Sequence, residues 1–493
     1  SAVATVTVLP DGSDEPAEEV LVTLGNAVNA TIADGLAGGT IVDDDVAPQM
    51  RVNDVEVPEG DSGTRSLVFT VSLSGASGFP ISVTYTTQDG TAEAGDDYTP
   101  VSGSLTFAPG ETAKSVTVTV FGDNVHELNE NFYLYLGQPS NATLADGVGR
   151  GLIVEDQGAP VISVSNAFAY EKDVGGSILT FTITLSHTSD RDVYFHFTTR
   201  PGTAVAPADY YTNYGTLIFT PGQTTKTVNV IALPDRIDEF DETFTLDTLG
   251  VVNSVFGGPG TGTIIDNDPE PAVAVADVVK TEGTGGTSTM NFPLTLSAPS
   301  GKPVTVTYRT NAGSATPGDD YQEETSASVT LAPGQTSINA PVSIVPDSTD
   351  EGEETLSLTI VSATNATIAD GNAQGTIVDD DAAPTVSVSD VTVGESGGVA
   401  TFTVSVSAPS AKSITVNFST ANGTATSGSD YVARSGSLTF APGETSKEVT
   451  VTLVGDTVPE PSENFFLNVT GPNNATVADG QGQGTITDDD AAA

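Results

Sequence analysis

The 493-residue chain contains no cysteine and no tryptophan, only two methionines and three histidines. Without thiols there is no disulfide scaffold, no thiolate zinc site, no iron–sulfur cluster and no cysteine nucleophile. Positive charge is also scarce: 15 Lys plus Arg stand against 65 Asp plus Glu, a formal net charge of −50. Such a chain repels nucleic acid and anionic membrane surfaces, which are bound through Lys and Arg, and its natural partners are cations. No run of 18 apolar residues is present, so no membrane-spanning helix is expected. No signal peptide, lipidation box or anchor is visible in this sequence. A hydrophobic fraction of 37% with this acidity would suit a disordered chain. The length points instead to three to five domains.

What is present is a repeat. Thr-Ile-Val-Asp-Asp-Asp at 40–45 returns as 152–157, 263–268, 376–381 and 485–490. An Asp-Tyr pair falls at 97–98, 209–210, 320–321 and 430–431, and a Pro-Gly turn at 109–110, 221–222, 333–334 and 442–443. The period of about 110 residues defines four complete units, 46–157, 158–268, 269–381 and 382–493, after a half-unit at 1–45 that lacks the Asp-Tyr pair. Ser1 is therefore read as a cut rather than a natural start, with strand donation by another chain as the alternative. Within each unit apolar residues alternate with polar ones, as in Val116, Val118 and Val120 or Leu356, Leu358 and Ile360. Period two means strands with one buried face. About seven strands per unit predict an all-β chain of tandem immunoglobulin-like antiparallel sandwiches. The joints are short and carry Pro48, Pro160, Pro271 and Pro384. Proline stiffens such joints, which favours an elongated rod of about 150 Å.

The acids recur in register. The half-unit has Asp11, Glu15, Glu18, Asp43, Asp44 and Asp45. The first complete unit has Glu59, Asp97, Asp123, Glu127, Glu130, Glu155 and Asp156, and the second has Glu171, Asp209, Asp235, Glu239, Glu242, Asp266 and Asp268. The third has Glu282, Asp320, Asp347, Glu351, Glu354, Asp379, Asp380 and Asp381, and the fourth has Glu395, Asp430, Asp456, Glu460, Glu463, Asp488, Asp489 and Asp490. All flank strand ends or turns, and alternate loops of a sandwich meet at one tip. Six to eight carboxylates there repel, at about 4 kcal/mol per pair at 4 Å and an effective dielectric near 20. They must protonate or bind cations. An all-oxygen set suits Ca²⁺, which takes about 6–8 oxygens, better than the stricter Mg²⁺. Zinc would want His or Cys, and neither recurs at equivalent positions. A merely solvated acidic surface is the competing reading. The fixed spacing in every unit argues for calcium.

Asp-Asp-Tyr-Thr-Pro, Gly-Ser-Leu-Thr-Phe-Ala-Pro-Gly-Glu-Thr, Asp-x-x-x-Glu-x-x-Glu-Asn-Phe and Thr-Ile-Val-Asp-Asp-Asp, in that order, resemble the Calx-beta domain. The resemblance spans essentially the whole chain. It implies a seven-stranded sandwich with several Ca²⁺ at one tip, held by the early Glu, the Asp of Asp-Tyr, the acidic-loop Asp and both Glu, and the terminal triplet. Strong calcium binders of the family begin the acidic loop with consecutive Asp. Here that first position is Pro10, Gly122, Pro234, Pro346 or Gly455, which implies fewer or weaker ions. Gln157 replaces a triplet carboxylate, and the half-unit's site is incomplete.

No enzyme is expected, because identical carboxylate sets in every repeat do not suit a single active site and His126, His187 and His196 do not recur. Asn29, Asn141, Asn365 and Asn474 open Asn-Ala-Thr sequons and are read as turn residues, and the Asp-Tyr tyrosines are expected at the sandwich edge. The functional expectation is a calcium-stiffened rod in a secreted or cell-surface protein of bacterial type. It would serve adhesion or an extracellular fibre, with further repeats or other surface proteins as partners. The alternatives are regulatory calcium-sensor domains of a membrane transporter, and a filament subunit that self-assembles through the half-unit.

Overall fold

The computed structural model describes residues 1–490, so the last three residues of the expected 382–493 unit lie outside the described residues. Two compact units are distinguished: Ser1–Asp235 with Asp241–Ile265, and Arg236–Phe240 with the residues from Asp266 onward. The half-unit is a hairpin of β1 (Glu18–Thr23) and β2 (Leu36–Ile41). The first sandwich follows with β3 (Gln49–Val52), β4 (Val55–Pro58), β5 (Gly63–Leu73), β6 (Ile81–Asp89), β7 (Ser102–Phe107), β8 (Ala113–Gly122), β9 (Val125–His126), β10 (Glu130–Leu136), β11 (Thr143–Asp146) and β12 (Val148–Val154). One sheet runs β4-β12-β10-β6-β7 and the other β11-β3-β5-β8. Three further sandwiches repeat this five-plus-four order. Among the described residues the exception to strand and loop is one 3₁₀ turn, Glu395–Gly397. No helix among them is long and apolar enough to cross a membrane.

The chain is all-β and immunoglobulin-like, as the alternation predicts, but it is not purely antiparallel. The first strand of each sandwich breaks in two, and its halves join different sheets. β3 pairs parallel with β11 and β4 parallel with β12. The other sandwiches do the same, as at Ala272–Val275 with Thr367–Asp370 and Val278–Thr281 with Asn372–Val378. A split strand ties both sheets to the last strands of its own sandwich, whose end carries the acidic triplet.

Alternation places one side chain in two in the core. Along Ser288–Leu296, Met290, Phe292 and Leu294 are fully buried while the residues between them face outward. The four tyrosines of the Asp-Tyr pairs are not at an edge. Tyr98, Tyr210, Tyr321 and Tyr431 are at most 1% exposed. Tyr98 stacks on Phe132 at 4.1 Å between centroids, Tyr210 on Phe244 at 4.3 Å and Tyr431 on Phe465 at 4.5 Å. An aromatic pair adds to ordinary burial, so the loop before each tyrosine is anchored in the core. The sequon asparagines do lie in turns. Asn29, Asn141, Asn365 and Asn474 have φ between 54° and 65°, and the side-chain amides of the last three donate to the carbonyls of Pro80, Pro303 and Ser413.

The strand before each triplet needs a glycine for packing. A Cβ at Gly375 would lie 2.5 Å from Met290 Sδ and 2.8 Å from Phe292 Cζ. Gly39 is the half-unit's counterpart and has nothing within 4 Å. Gly375→Val is therefore expected to destabilise the third sandwich by about 1–3 kcal/mol through overpacking, and Gly39→Val to be neutral or mildly stabilising. Urea unfolding of the two variants measures both. Equal effects would contradict the packing account.

Candidate metal centre

In the first, third and fourth sandwiches four elements deliver acids to one end. The tyrosine anchor sets the first. In the first sandwich the amide of Phe121 donates to the Asp97 carbonyl at 2.9 Å, and the carboxylate of Asp97 accepts the Glu93 amide at 2.6 Å. Asp209, Asp320 and Asp430 accept the Val205, Thr316 and Thr426 amides in the same way at 2.5–2.6 Å. The acidic loop is folded by its first Asp, whose carboxylate accepts the amide two residues on. This occurs at Asp11, Asp123, Asp347 and Asp456, at 2.6–2.9 Å. The triplet closes on itself likewise, the third amide reaching the first carboxylate at 3.2 Å in Asp266–Asp268, Asp379–Asp381 and Asp488–Asp490 and at 3.5 Å in Asp43–Asp45. The early glutamate meets the loop directly, since Glu282 accepts the Asp347 amide at 3.0 Å and Glu395 the Asp456 amide at 2.8 Å.

These folds bring carboxylates together. In the first sandwich, ligand atoms of Glu59, Glu127 and Glu155 lie within 4.8 Å of one another, as do those of Asp97, Glu127 and Glu130. Asp320, Glu351 and Glu354 make the same trio in the third, and Glu395, Asp488 and Asp490 form one in the fourth. Asp430, Glu460 and Glu463 line the same small pocket as Glu395 and Asp488. In the half-unit Asp11, Glu15, Glu18 and Asp43–Asp45 line one open pocket, with no early Glu and no Asp-Tyr loop in the sequence to complete it. In the second sandwich Glu171 is buried beyond the strand Ala167–Tyr170, and Glu242 begins the strand Glu242–Val252. Asp235 and Glu239 lie in the loop before that strand, and Asp266 and Asp268 follow Gly260–Ile265.

Crowding and burial disfavour the charged forms. Burial, with the carboxylates of Asp123, Glu127 and Glu155, pushes Glu59 up to about 7. Burial, with Asp123 and Asp97, pushes Glu127 up to about 7. Glu130 and Glu354 rise to about 8 through burial and through hydrogen bonds to Asp97 and Asp320 respectively. Glu282, Glu351, Asp381, Glu460, Glu463, Asp490 and Asp45 also shift upward, burial first. Glu15 is raised chiefly by Asp11. In the fourth sandwich Asp490 Oδ2 is buried without a hydrogen-bond partner among the described residues. A buried polar atom without a partner is uncommon, and this one lies beside the carboxylates of Glu395 and Asp488.

Not every candidate faces the cluster. The middle triplet residues staple the loop after the early glutamate: Asp156 and Asp380 accept the amides of Gly60 and Gly283, both at 3.0 Å, and Asp489 accepts the Ser396 hydroxyl. Residue-pattern reasoning assigned Gln157 only a lost carboxylate. It is 6% exposed, and its Nε2 lies 3.0 Å from both the Asp123 carbonyl and Asp156 Oδ1 and 3.2 Å from Asp61 Oδ1. A donor therefore stands at the first tip where the other tips have a carboxylate. The signal available was the break in the Asp triplet itself.

The family model of the Calx-beta domain matches residues 42–166, 155–270, 275–381 and 379–490. Adhesion G-protein coupled receptor V1 of Danio rerio is 24% identical over 517 residues, which is 94% of this chain and 8% of the receptor. Sodium/calcium exchanger 2 of Rattus norvegicus is 30% identical over 201 residues, 37% of this chain and 22% of the exchanger. Among solved structures, the apo-form Calx CBD1 domain is 26% identical with a TM-score of 0.21, covering 22% of this chain and 99% of that one. The chain thus spans less than a quarter of either of these full-length relatives. Four consecutive matches that together take in nearly all of its residues make it a member of the Calx-beta domain family.

Proposed function

We propose that this chain is a calcium-binding structural segment of an extracellular or cell-surface protein, built from the modules 46–157, 158–268, 269–381 and 382–490 and stiffened when their tips bind Ca²⁺. The observation that carries the reading is the clustering of carboxylates with raised pKa at the sandwich ends, where the donors are all oxygen and few positive charges lie near. In the third sandwich the ion would be held by Glu282, Asp320, Asp347, Glu351, Glu354, Asp379 and Asp381. The fourth would use Glu395, Asp430, Asp456, Glu460, Glu463, Asp488 and Asp490. Hard, flexible oxygen ligands in this number suit calcium. Each triplet is followed within a few residues by the next module, so an ion there would tie the last strand to its neighbours beside the joint. The surface setting is supported by the similarity to an adhesion receptor along nearly the whole chain.

The test is calorimetric calcium titration of the full chain, with Asp320→Ala and Glu354→Gln variants. The expected result is saturable binding, and a loss of affinity of about tenfold or more confined to the sites of the third sandwich. Absence of binding in the unaltered chain would remove the proposal. A regulatory sensor in a transporter is the second reading, favoured by the 30% identity to an exchanger. Affinity separates the two, because sensors bind at about 10⁻⁷–10⁻⁵ M and extracellular modules at about 10⁻⁴–10⁻³ M.

A further inference from the structure

Two of the few basic residues, Lys302 and Lys412, stand at the same place in successive repeats, in Ala298-Pro299-Ser300-Gly301-Lys302 and Ala408-Pro409-Ser410-Ala411-Lys412. Around Lys412, in the second compact unit, Asp350 of the third sandwich's acidic loop is 5% exposed and Ser410 of the fourth is 3% exposed. Ser410 Oγ lies 2.9 Å from the Asp350 carbonyl and 2.7 Å from Asp350 Oδ2, and the Ala411 amide donates to the same carbonyl at 3.0 Å. The Lys412 ammonium donates to Asp350 Oδ1 at 2.7 Å and to Asp379 Oδ2 at 3.3 Å. Asp379 is the first residue of the third sandwich's triplet. The same set recurs around Lys302. Its Nζ lies 2.7 Å from Asp238 Oδ1 and 3.7 Å from Asp266 Oδ2, and Ser300 Oγ lies 3.0 Å from Asp238 Oδ2.

A buried carboxylate is tolerated only when it is paired and hydrogen-bonded, and breaking such a pair leaves an uncompensated charge. Asp350 meets that condition through partners that all come from the next sandwich. In the first compact unit the hydrogen-bonded bridge alone is kept: Ser77 donates to the Asp14 carbonyl at 3.0 Å and Ser189 to the His126 carbonyl at 3.1 Å. The residue two positions on is then Phe79 or Arg191 rather than lysine. The bridge is thus general and the ammonium is an addition. We infer that Lys412 is a tethered counter-ion, a cation built into the chain that locks the joint between the third and fourth sandwiches through Asp350 and Asp379 without a metal. This joint is therefore held before calcium binds, and the stiffening by calcium proposed above applies to joints without such a lysine.

The absence of native cysteine makes a direct test available. Ser328 and Ser437 are exposed, on Ala327–Leu331 of the third sandwich and Ser435–Phe440 of the fourth. With both replaced by Cys and spin-labelled in the full chain, double electron–electron resonance reports the distance distribution across the joint. In chelator the distribution is expected to be narrow, and to broaden at least about twofold on Lys412→Met and on Asp350→Asn, since sandwiches lacking a lock move freely by default. Circular dichroism on each variant verifies that the sandwiches remain folded. Distributions of equal width in chelator for the unaltered chain and both variants would overturn the inference. So would a broad distribution in the unaltered chain that narrows only with calcium. Calcium titration of the same labelled protein reports separately on the tip sites.

Discussion

In chelator at pH 8 the fourth sandwich is expected to melt at least about 10 °C below its transition in saturating calcium. One ion at about one hundred times its dissociation constant contributes about 2.7 kcal/mol, and 1 kcal/mol moves the midpoint of a domain of about 100 residues by roughly 4 °C or more. The shift should differ between sandwiches. The third tip already has the Lys412 ammonium 3.3 Å from Asp379, and the first has the Gln157 amide among Asp61, Asp123 and Asp156. The fourth has neither, and among the described residues its Asp490 Oδ2 has no hydrogen-bond partner. Scanning calorimetry of the full chain should therefore show separate transitions, as multidomain chains do, with the calcium-induced shift larger for the fourth sandwich than for the third. Asp490→Asn should reduce the fourth shift and leave the third in place. Superimposable scans in calcium and chelator would rule out stabilisation by bound metal.

Much of this was legible in the sequence because the information is periodic. Alternation in segments such as Val116–Val120 fixes which face of a strand is buried, and the return of Asp-Tyr and Thr-Ile-Val-Asp-Asp-Asp aligns the tips without any coordinates. What stayed hidden depends on three-dimensional partners. The break of the first strand into β3 and β4 shows in the sequence as a slip in the alternation, from Met50 and Val52 to Val55 and Val57, which does not tell that the halves join different sheets. The Asp-Tyr tyrosines, each beside an acid in the sequence, are expected at the sandwich edge. Yet Tyr98 and Tyr431 satisfy their hydroxyls inside, on Asp89 and Asn422, at 2.7 and 2.6 Å. Lys302 and Lys412 were visible as two lysines in register. Their acceptors, Asp238 and Asp350, lie more than 60 residues away, and the repeating ligand pattern of the loop passes over both. One loop thus faces two ways, with Glu351 and Glu354 gathered beside Asp320 at the tip and Asp350 hydrogen-bonded at the joint.

The apo chain should lose stability as pH rises, and calcium should reverse that slope. Glu59 and Glu127 titrate near 7 and Glu130 and Glu354 near 8 in the folded chain, against 4.5 when exposed. The folded state thus holds protons that the unfolded state has released. Stability from these groups is fully present below pH 4.5 and is lost as pH rises through 7 to 8. A tenfold difference in proton affinity between the folded and unfolded states corresponds to about 1.4 kcal/mol before solvent screening is allowed for. A fall of a few kcal/mol in the first and third sandwiches is therefore expected between pH 5 and pH 8.5, or roughly 10 °C in chelator. Calcium competes for the same oxygens. At pH 5 protons occupy them and calcium should change little, whereas at pH 8.5 the ion supplies the neutralisation that the protons no longer provide. The melting temperature in calcium should then rise, or at least hold, over the range in which the apo value falls. Glu130→Gln and Glu354→Gln sharpen the test, because an amide cannot ionise. Each should flatten the chelator profile of its own sandwich and weaken its calcium response. A bystander acidic surface predicts neither effect, and an apo melting temperature that climbs from pH 5 to pH 8.5 would show that the clustered glutamates are not held in the protonated form.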